Sequence, residues 1–110
     1  ISPGMKTRFR ALHDYTAKLP LCAATESEEL AGLTTRQAIE LGVMNGIAFE
    51  IEGYAARMRS QIEDLCVIFT GGDANFFVKR IKNTIFANCN LVFCGLNRIL
   101  EYNASEEHLN

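Results

Sequence analysis

The feature that most limits the fold is a short one. Leu65-Cys66-Val67-Ile68-Phe69 is a continuous apolar run of strand length, and it stops at Thr70-Gly71-Gly72-Asp73-Ala74. An apolar run bounded by turn residues reads as a buried strand. The glycine pair turns the chain, and Asp73 is placed to cap a helix from Ala74 to about Lys82. A second run, Leu91 to Cys94, also reads as a buried strand, and Gly95 then opens a helix from Leu96 to about Tyr102. Two strands do not make a stable sheet. The expected class is therefore α/β, helix-rich, with few strands and an incomplete sheet.

The rest of the patterned sequence is helical. Met5, Phe9, Leu12 and Tyr15 recur at three- and four-residue steps, which predicts a helix from Met5 to Lys18. Pro20 should end it at about Leu19, because the residue before a proline is pushed out of the helical region. Leu21 to Ala24 fits either a short strand or an extended link, and Thr25 to Glu29 is a solvated loop. Thr35 reads as the N-cap of a second helix, whose period runs through Ala38, Leu41, Gly42, Ile47 and Ile51 to about Glu63. A bend is expected between Gly42 and Gly46. These glycines would also let another helix approach closely, at a cost of about 1 kcal/mol each relative to Ala. Arg57, Arg59 and the pair Lys79-Arg80 are expected on solvated helix faces.

At 110 residues the chain is one domain at most, and 48% hydrophobic with 22% charged residues is a globular balance. A net charge of −2 argues against a nucleic-acid surface, which needs a basic stripe. No apolar run reaches the length of a membrane span, and there is no secretory h-region. Cys22, Cys66, Cys89 and Cys94 form no C-x-x-C pair. They read as small buried hydrophobes in a reducing, cytoplasmic compartment, and their spacing does not suit zinc. Ile1-Ser2-Pro3-Gly4 enters a helix without a polar lead-in or an initiating Met, so further sequence is expected upstream.

Few groups in the chain carry chemistry. Gly71 and Gly72 let the backbone pass close to a ligand, and the helix after them offers free N–H groups and a positive dipole end. Thr70 to Ala74 thus fits a nucleotide turn, or equally a tight turn with no ligand. The Lys-Ser/Thr ending of a Walker A loop is absent. Ser2-Pro3-Gly4 reads as a chain reversal, and Thr35 as a plain cap. His13 and His108 have no neighbouring nucleophile, and Asp14, Asp64 and Asp73 have no metal-site spacing.

An ordered set of motifs goes further. Ile1-Ser2-Pro3-Gly4 is followed by Arg8-Phe9-Arg10-Ala11-Leu12, Lys18-Leu19-Pro20, Thr35-Arg36-Gln37-Ala38-Ile39, Gly42 to Gly46, Thr70 to Ala74 and Gly95-Leu96-Asn97-Arg98-Ile99-Leu100. This series resembles the C-terminal half of type III pantothenate kinases. The resemblance implies the C-terminal portion, residues 1–110, of the second actin-like (ribonuclease H-like) domain, without its first strands. It places the chain in the superfamily of actin-like ATPases, sugar kinases and heat-shock ATPases. It also implies ATP-dependent phosphorylation of pantothenate in coenzyme A biosynthesis, with Mg²⁺ and a monovalent cation, K⁺ or NH₄⁺, in a cytoplasmic homodimer. Carried over, Thr35 would contact pantothenate. Thr70, Gly71, Gly72 and Asp73 would line the adenosine side of the ATP cleft, and Gly4 would follow a phosphate-binding hairpin. The general-base Asp and the cation-binding Asp would lie upstream of Ile1, so this chain holds no catalytic or metal residue and is expected to be inactive alone. The alternative is a non-catalytic actin-like binding or dimerisation module.

Overall fold

Three helices follow one another along residues 1–85, the part of the chain described by the computed structural model: α1 (Met5–Asp14), α2 (Thr35–Arg59) and α3 (Ala74–Ile85). The chain divides into two units, Ile1–Gly53 and Tyr54–Asn110, and α2 runs across their boundary.

In the first unit α1 buries Met5 and Phe9 and half-buries Leu12, the positions at i, i+4 and i+7 that share one helix face. Tyr15, expected on the same stripe, is 87% exposed. The helix stops at Asp14 rather than near Leu19. Tyr15 N–H still reaches the Ala11 carbonyl at 3.0 Å, but the Thr16 hydroxyl donates to the Leu12 carbonyl, the acceptor that the next helical N–H would use. A threonine hydroxyl competing for the backbone in this way ends the helix earlier than Pro20 would. His13 Nδ1 lies 2.8 Å from the Leu19 carbonyl. A carbonyl only accepts, so Nδ1 carries the hydrogen, and the bond ties the Lys18-Leu19-Pro20 corner to α1.

The second helix is capped by Thr34, one residue earlier than expected. Its hydroxyl accepts Gln37 N–H at 3.1 Å and its carbonyl accepts Ala38 N–H at 2.9 Å. Gln37 returns the favour, its Oε1 accepting Leu33 N–H at 2.9 Å. This is a close variant of the reciprocal capping box, and Thr34-x-x-Gln37 is its sequence signature. Ahead of it, Gly32 has no room for a side chain, since a Cβ there would lie 2.5 Å from Ala38 N and 2.7 Å from Gln37 Cβ.

Within α2, Ile39, Leu41, Val43, Met44, Ile47 and Ala48 are buried. At 100° per residue they span an arc of about 200°, a broad buried face for the middle of the helix. It continues unbroken through Gly42 and Gly46. No helix backbone approaches closely there among the described residues: a Cβ on Gly42 would meet nothing within 4 Å, and one on Gly46 would meet only the Arg8 guanidinium of α1 at 3.8 Å. The helix ends at Arg59, short of Glu63. Ile62 N–H and Gln61 N–H both turn back to the Met58 carbonyl, and the Ser60 hydroxyl donates to the Arg57 carbonyl. Arg57 and Arg59 in the last turn suit the negative end of the helix dipole.

In the second unit α3 buries Ala74, Phe77, Val78 and Ile81, an i, i+3, i+4, i+7 stripe with Lys79 exposed beside it. The run Leu65–Phe69 is not a strand, and no strand occurs among the described residues. A ladder needs a partner, and the other expected strand, Leu91 to Cys94, lies outside the described residues, as do the helix after it, Cys89 and His108. Burial nonetheless alternates with the period of two that a pleated segment shows. Phe69 is buried and Leu65 and Val67 half-buried, while Cys66 and Ile68 are exposed. The run is therefore not buried on both sides, and Cys66 is not a core residue, whereas Cys22 is. No described helix is long and apolar enough to cross a membrane.

Candidate functional site

The first unit contains a cleft of about 740 Å³ between α1 and α2. One wall is Arg8, Ala11 and Leu12 of α1 with Leu19 from the corner after it, and the other is Thr35, Ala38, Ile39, Gly42 and Val43 of α2. Three of the lining residues are placed by local structure. The His13–Leu19 bond brings Leu19 back over the end of α1. The early cap at Thr34 makes Thr35 the first helical residue rather than the cap, so its hydroxyl is not spent on the helix end. Gly42 leaves open space where a side chain would stand. Seven of the nine lining residues are apolar or glycine, and Arg8 and Thr35 supply the polar groups. Such a lining, with few polar groups on apolar walls, is the usual make-up of a small-molecule site.

Arg8 holds together three parts of the unit. Its Nε donates to the Pro3 carbonyl at 2.9 Å. Its Nη2 donates to Ser2 Oγ at 3.0 Å and to Glu50 Oε2 at 2.8 Å, which joins the opening turn, α1 and the middle of α2. The Ser2 hydroxyl and the Arg8 guanidinium beside it hold the Glu50 carboxyl below its ordinary value of 4.5, against desolvation acting the other way. The Arg8–Glu50 pairing spans 42 residues, and no sequence pattern announces it. Gly4 lies at the head of α1 as its N-cap, with φ −74° and ψ 175° and nothing within 4 Å of a Cβ. Neither backbone angle nor crowding among the described residues demands glycine there.

The remaining expected site residues lie in the second unit. Gly71 adopts φ +95°, a conformation glycine alone takes easily, and its carbonyl accepts Ala74 N–H at 3.3 Å. A Cβ on Gly72 would meet nothing within 4 Å. Asp73 precedes α3, and its carbonyl accepts Phe76 N–H at 3.2 Å. Thr70, Gly71 and Gly72 are exposed, so the turn is open to solvent. Among the described residues no group of three His, Cys, Asp or Glu side chains is arranged to hold a metal ion.

The family model for type III pantothenate kinase matches residues 1–57. The chain is also 51% identical over 102 residues to a type III pantothenate kinase of Flavobacterium psychrophilum, covering 93% of this chain and 42% of that protein. It is 47% identical over 103 residues to the type III pantothenate kinase of Cytophaga hutchinsonii, covering 94% of this chain and 44% of that protein. The corresponding protein of Christiangramia forsetii is 44% identical over 106 residues, covering 96% of this chain and 44% of its own length. The chain belongs to the type III pantothenate kinase family, and it spans less than half the length of these relatives.

Proposed function

From this family membership we propose that residues 1–110 are the C-terminal portion of a pantothenate kinase, part of its second actin-like (ribonuclease H-like) domain. The parent enzyme transfers the γ-phosphoryl group of ATP to the primary hydroxyl of pantothenate, giving 4′-phosphopantothenate and ADP, the first step of coenzyme A biosynthesis. One observation carries the proposal: the segment matched by the family model, residues 1–57, contains all nine residues that line the α1/α2 cleft.

In this proposal the cleft takes pantothenate. Its branched aliphatic middle suits the walls of Ala11, Leu12, Leu19, Ile39 and Val43. Thr35 contributes a hydroxyl at the start of α2, where free backbone N–H groups favour a negatively charged or carbonyl oxygen. Thr70, Gly71, Gly72 and Asp73 serve the adenosine side of ATP, where the missing Cβ of Gly72 leaves room for the ligand. Gly4 follows the phosphate-binding hairpin. During transfer the pantothenate oxygen forms a bond to the γ-phosphorus as the bond to the β,γ-bridging oxygen breaks, and the hydroxyl proton passes to a general base. That base lies outside this chain, whose own residues bind and orient. Among the described residues no group of three His, Cys, Asp or Glu side chains could hold a metal ion; Mg²⁺ and K⁺ or NH₄⁺ would be held by the rest of the parent. A cytoplasmic homodimer is the proposed working form, and the isolated chain is inactive.

The test is made on the full-length parent. With ATP and pantothenate it should form phosphopantothenate, and Thr35→Ala should raise the pantothenate KM about tenfold or more while leaving the ATP KM in place. Gly72→Val should do the reverse. ATP binding by calorimetry with no phosphorylated product would replace the kinase with a non-catalytic binding or dimerisation module. Equal rises in both KM values would reduce Thr35 to a structural residue.

A further inference from the structure

We infer that Arg8 is a second polar contact in the α1/α2 cleft, donating from Nη1 to a neutral acceptor oxygen, a carbonyl or hydroxyl, of the molecule bound there. This rests on the proposed use of the cleft for pantothenate and adds a residue to it. Arg8 lines the cleft with Thr35, one from each wall. Its Nε and Nη2 are committed to Pro3, Ser2 and Glu50. These bonds fix the plane of the guanidinium, which then loses little freedom when a ligand arrives. Nη1 is left with two N–H groups and no acceptor among the described residues, and the side chain retains 23% exposure.

The glycines of α2 explain where this group sits. Nη1 lies 3.8 Å from the place a Cβ on Gly46 would take, so the guanidinium rests on the glycine surface of the helix. Gly42, one turn earlier on the same face, lines the cleft and leaves open space. Gly46 thus seats the arginine, and Gly42 leaves open the cavity beside it. The ion pair to Glu50 decides which chemistry is recognised. With its charge matched at 2.8 Å, the guanidinium presents directed donors and little surplus charge, so it favours a neutral acceptor over a carboxylate.

The experiment uses the full-length parent and titrates pantothenate by calorimetry, alongside steady-state kinetics. Arg8→Lys keeps a positive charge for Glu50 but removes the fork that supplies Nη1. It should weaken pantothenate about ten- to a hundredfold and leave the ATP KM within about twofold. A pantothenate analogue with its amide carbonyl reduced to methylene, and one with its secondary hydroxyl removed, test the ligand side in the wild type, whether or not the variant folds. One of them should lose affinity by a similar factor, and that loss should shrink in Arg8→Lys. Unchanged pantothenate affinity in Arg8→Lys, or equal rises in both KM values, overturns the inference. So does full wild-type affinity for both analogues. Wild-type parent that binds no pantothenate overturns the kinase proposal and this inference together, whereas a Thr35→Ala defect without an Arg8→Lys defect overturns this inference alone.

Discussion

α2 and α3 both begin beside a candidate ligand site, yet their first turns are built differently. The start of α2 is closed on itself. Thr34 and Gln37 exchange hydrogen bonds around it, and Gly32 packs so tightly that no Cβ fits. The start of α3 is an open turn whose main local demand is the positive φ of Gly71. The first arrangement frees a side chain, Thr35, to face the cleft between α1 and α2. The second offers exposed backbone and space at Gly72. A closed helix start with a spare hydroxyl suits a small amphipathic molecule, and an open glycine turn suits the face of a larger one.

Glycine substitutions break this contrast most directly. Gly32→Ala should cost the most, about 3 kcal/mol, because the added Cβ meets backbone at 2.5 Å that cannot yield without moving the cap. Thermal unfolding of the full-length chain would register it, and an unchanged Tm would mean that the α2 start is not closed. Gly71→Ala should cost about 1–2 kcal/mol through its φ of +95° alone. Gly42→Ala should act in the opposite direction. Its Cβ meets nothing within 4 Å and alanine favours the helix, so the chain should gain up to about 1 kcal/mol while the cleft narrows and pantothenate binds less well. A loss of stability at Gly42 would show that the glycine serves packing and not space.

Thr34→Ala should remove about 1 kcal/mol as the cap is lost, whereas Thr35→Ala should leave the Tm nearly unchanged. The opposite ranking in thermal melts would return Thr35 to the capping role. The smallest effect belongs to Glu50. Its folded-state pKa lies below the ordinary 4.5, so the unfolded chain takes up the proton first as the pH drops. The Arg8–Glu50 contribution should be complete above that value and fade as the pH falls through the lower, folded value. A profile of Tm against pH in Glu50→Gln should differ from wild type above this window and converge with it below.

Much of the helical structure was legible in its residues, and the misses have physical causes. The Met5, Phe9, Leu12 face of α1 and the Ala74, Phe77, Val78, Ile81 face of α3 follow from a local 3.6-residue period. The capping box was legible too, in Thr34-x-x-Gln37, but Thr35 drew the cap because two threonines stand side by side. Leu65–Phe69 reads as a strand from composition. It lacks a ladder among the described residues because a strand depends on a neighbour, while its alternating burial preserves the pleated pattern.

Helix positions, their buried faces and the family are settled by short-range chemistry and ordered motifs, since each depends on residues a few positions apart. The cleft is settled by packing. Arg8 meets Glu50 across 42 residues, Leu19 folds back through His13, and Gly42 and Gly46 acquire their separate roles only when α1 lies against α2. Local periodicity carries no information about which distant side chains will meet, so the polar group beside Thr35 becomes visible only in the folded unit.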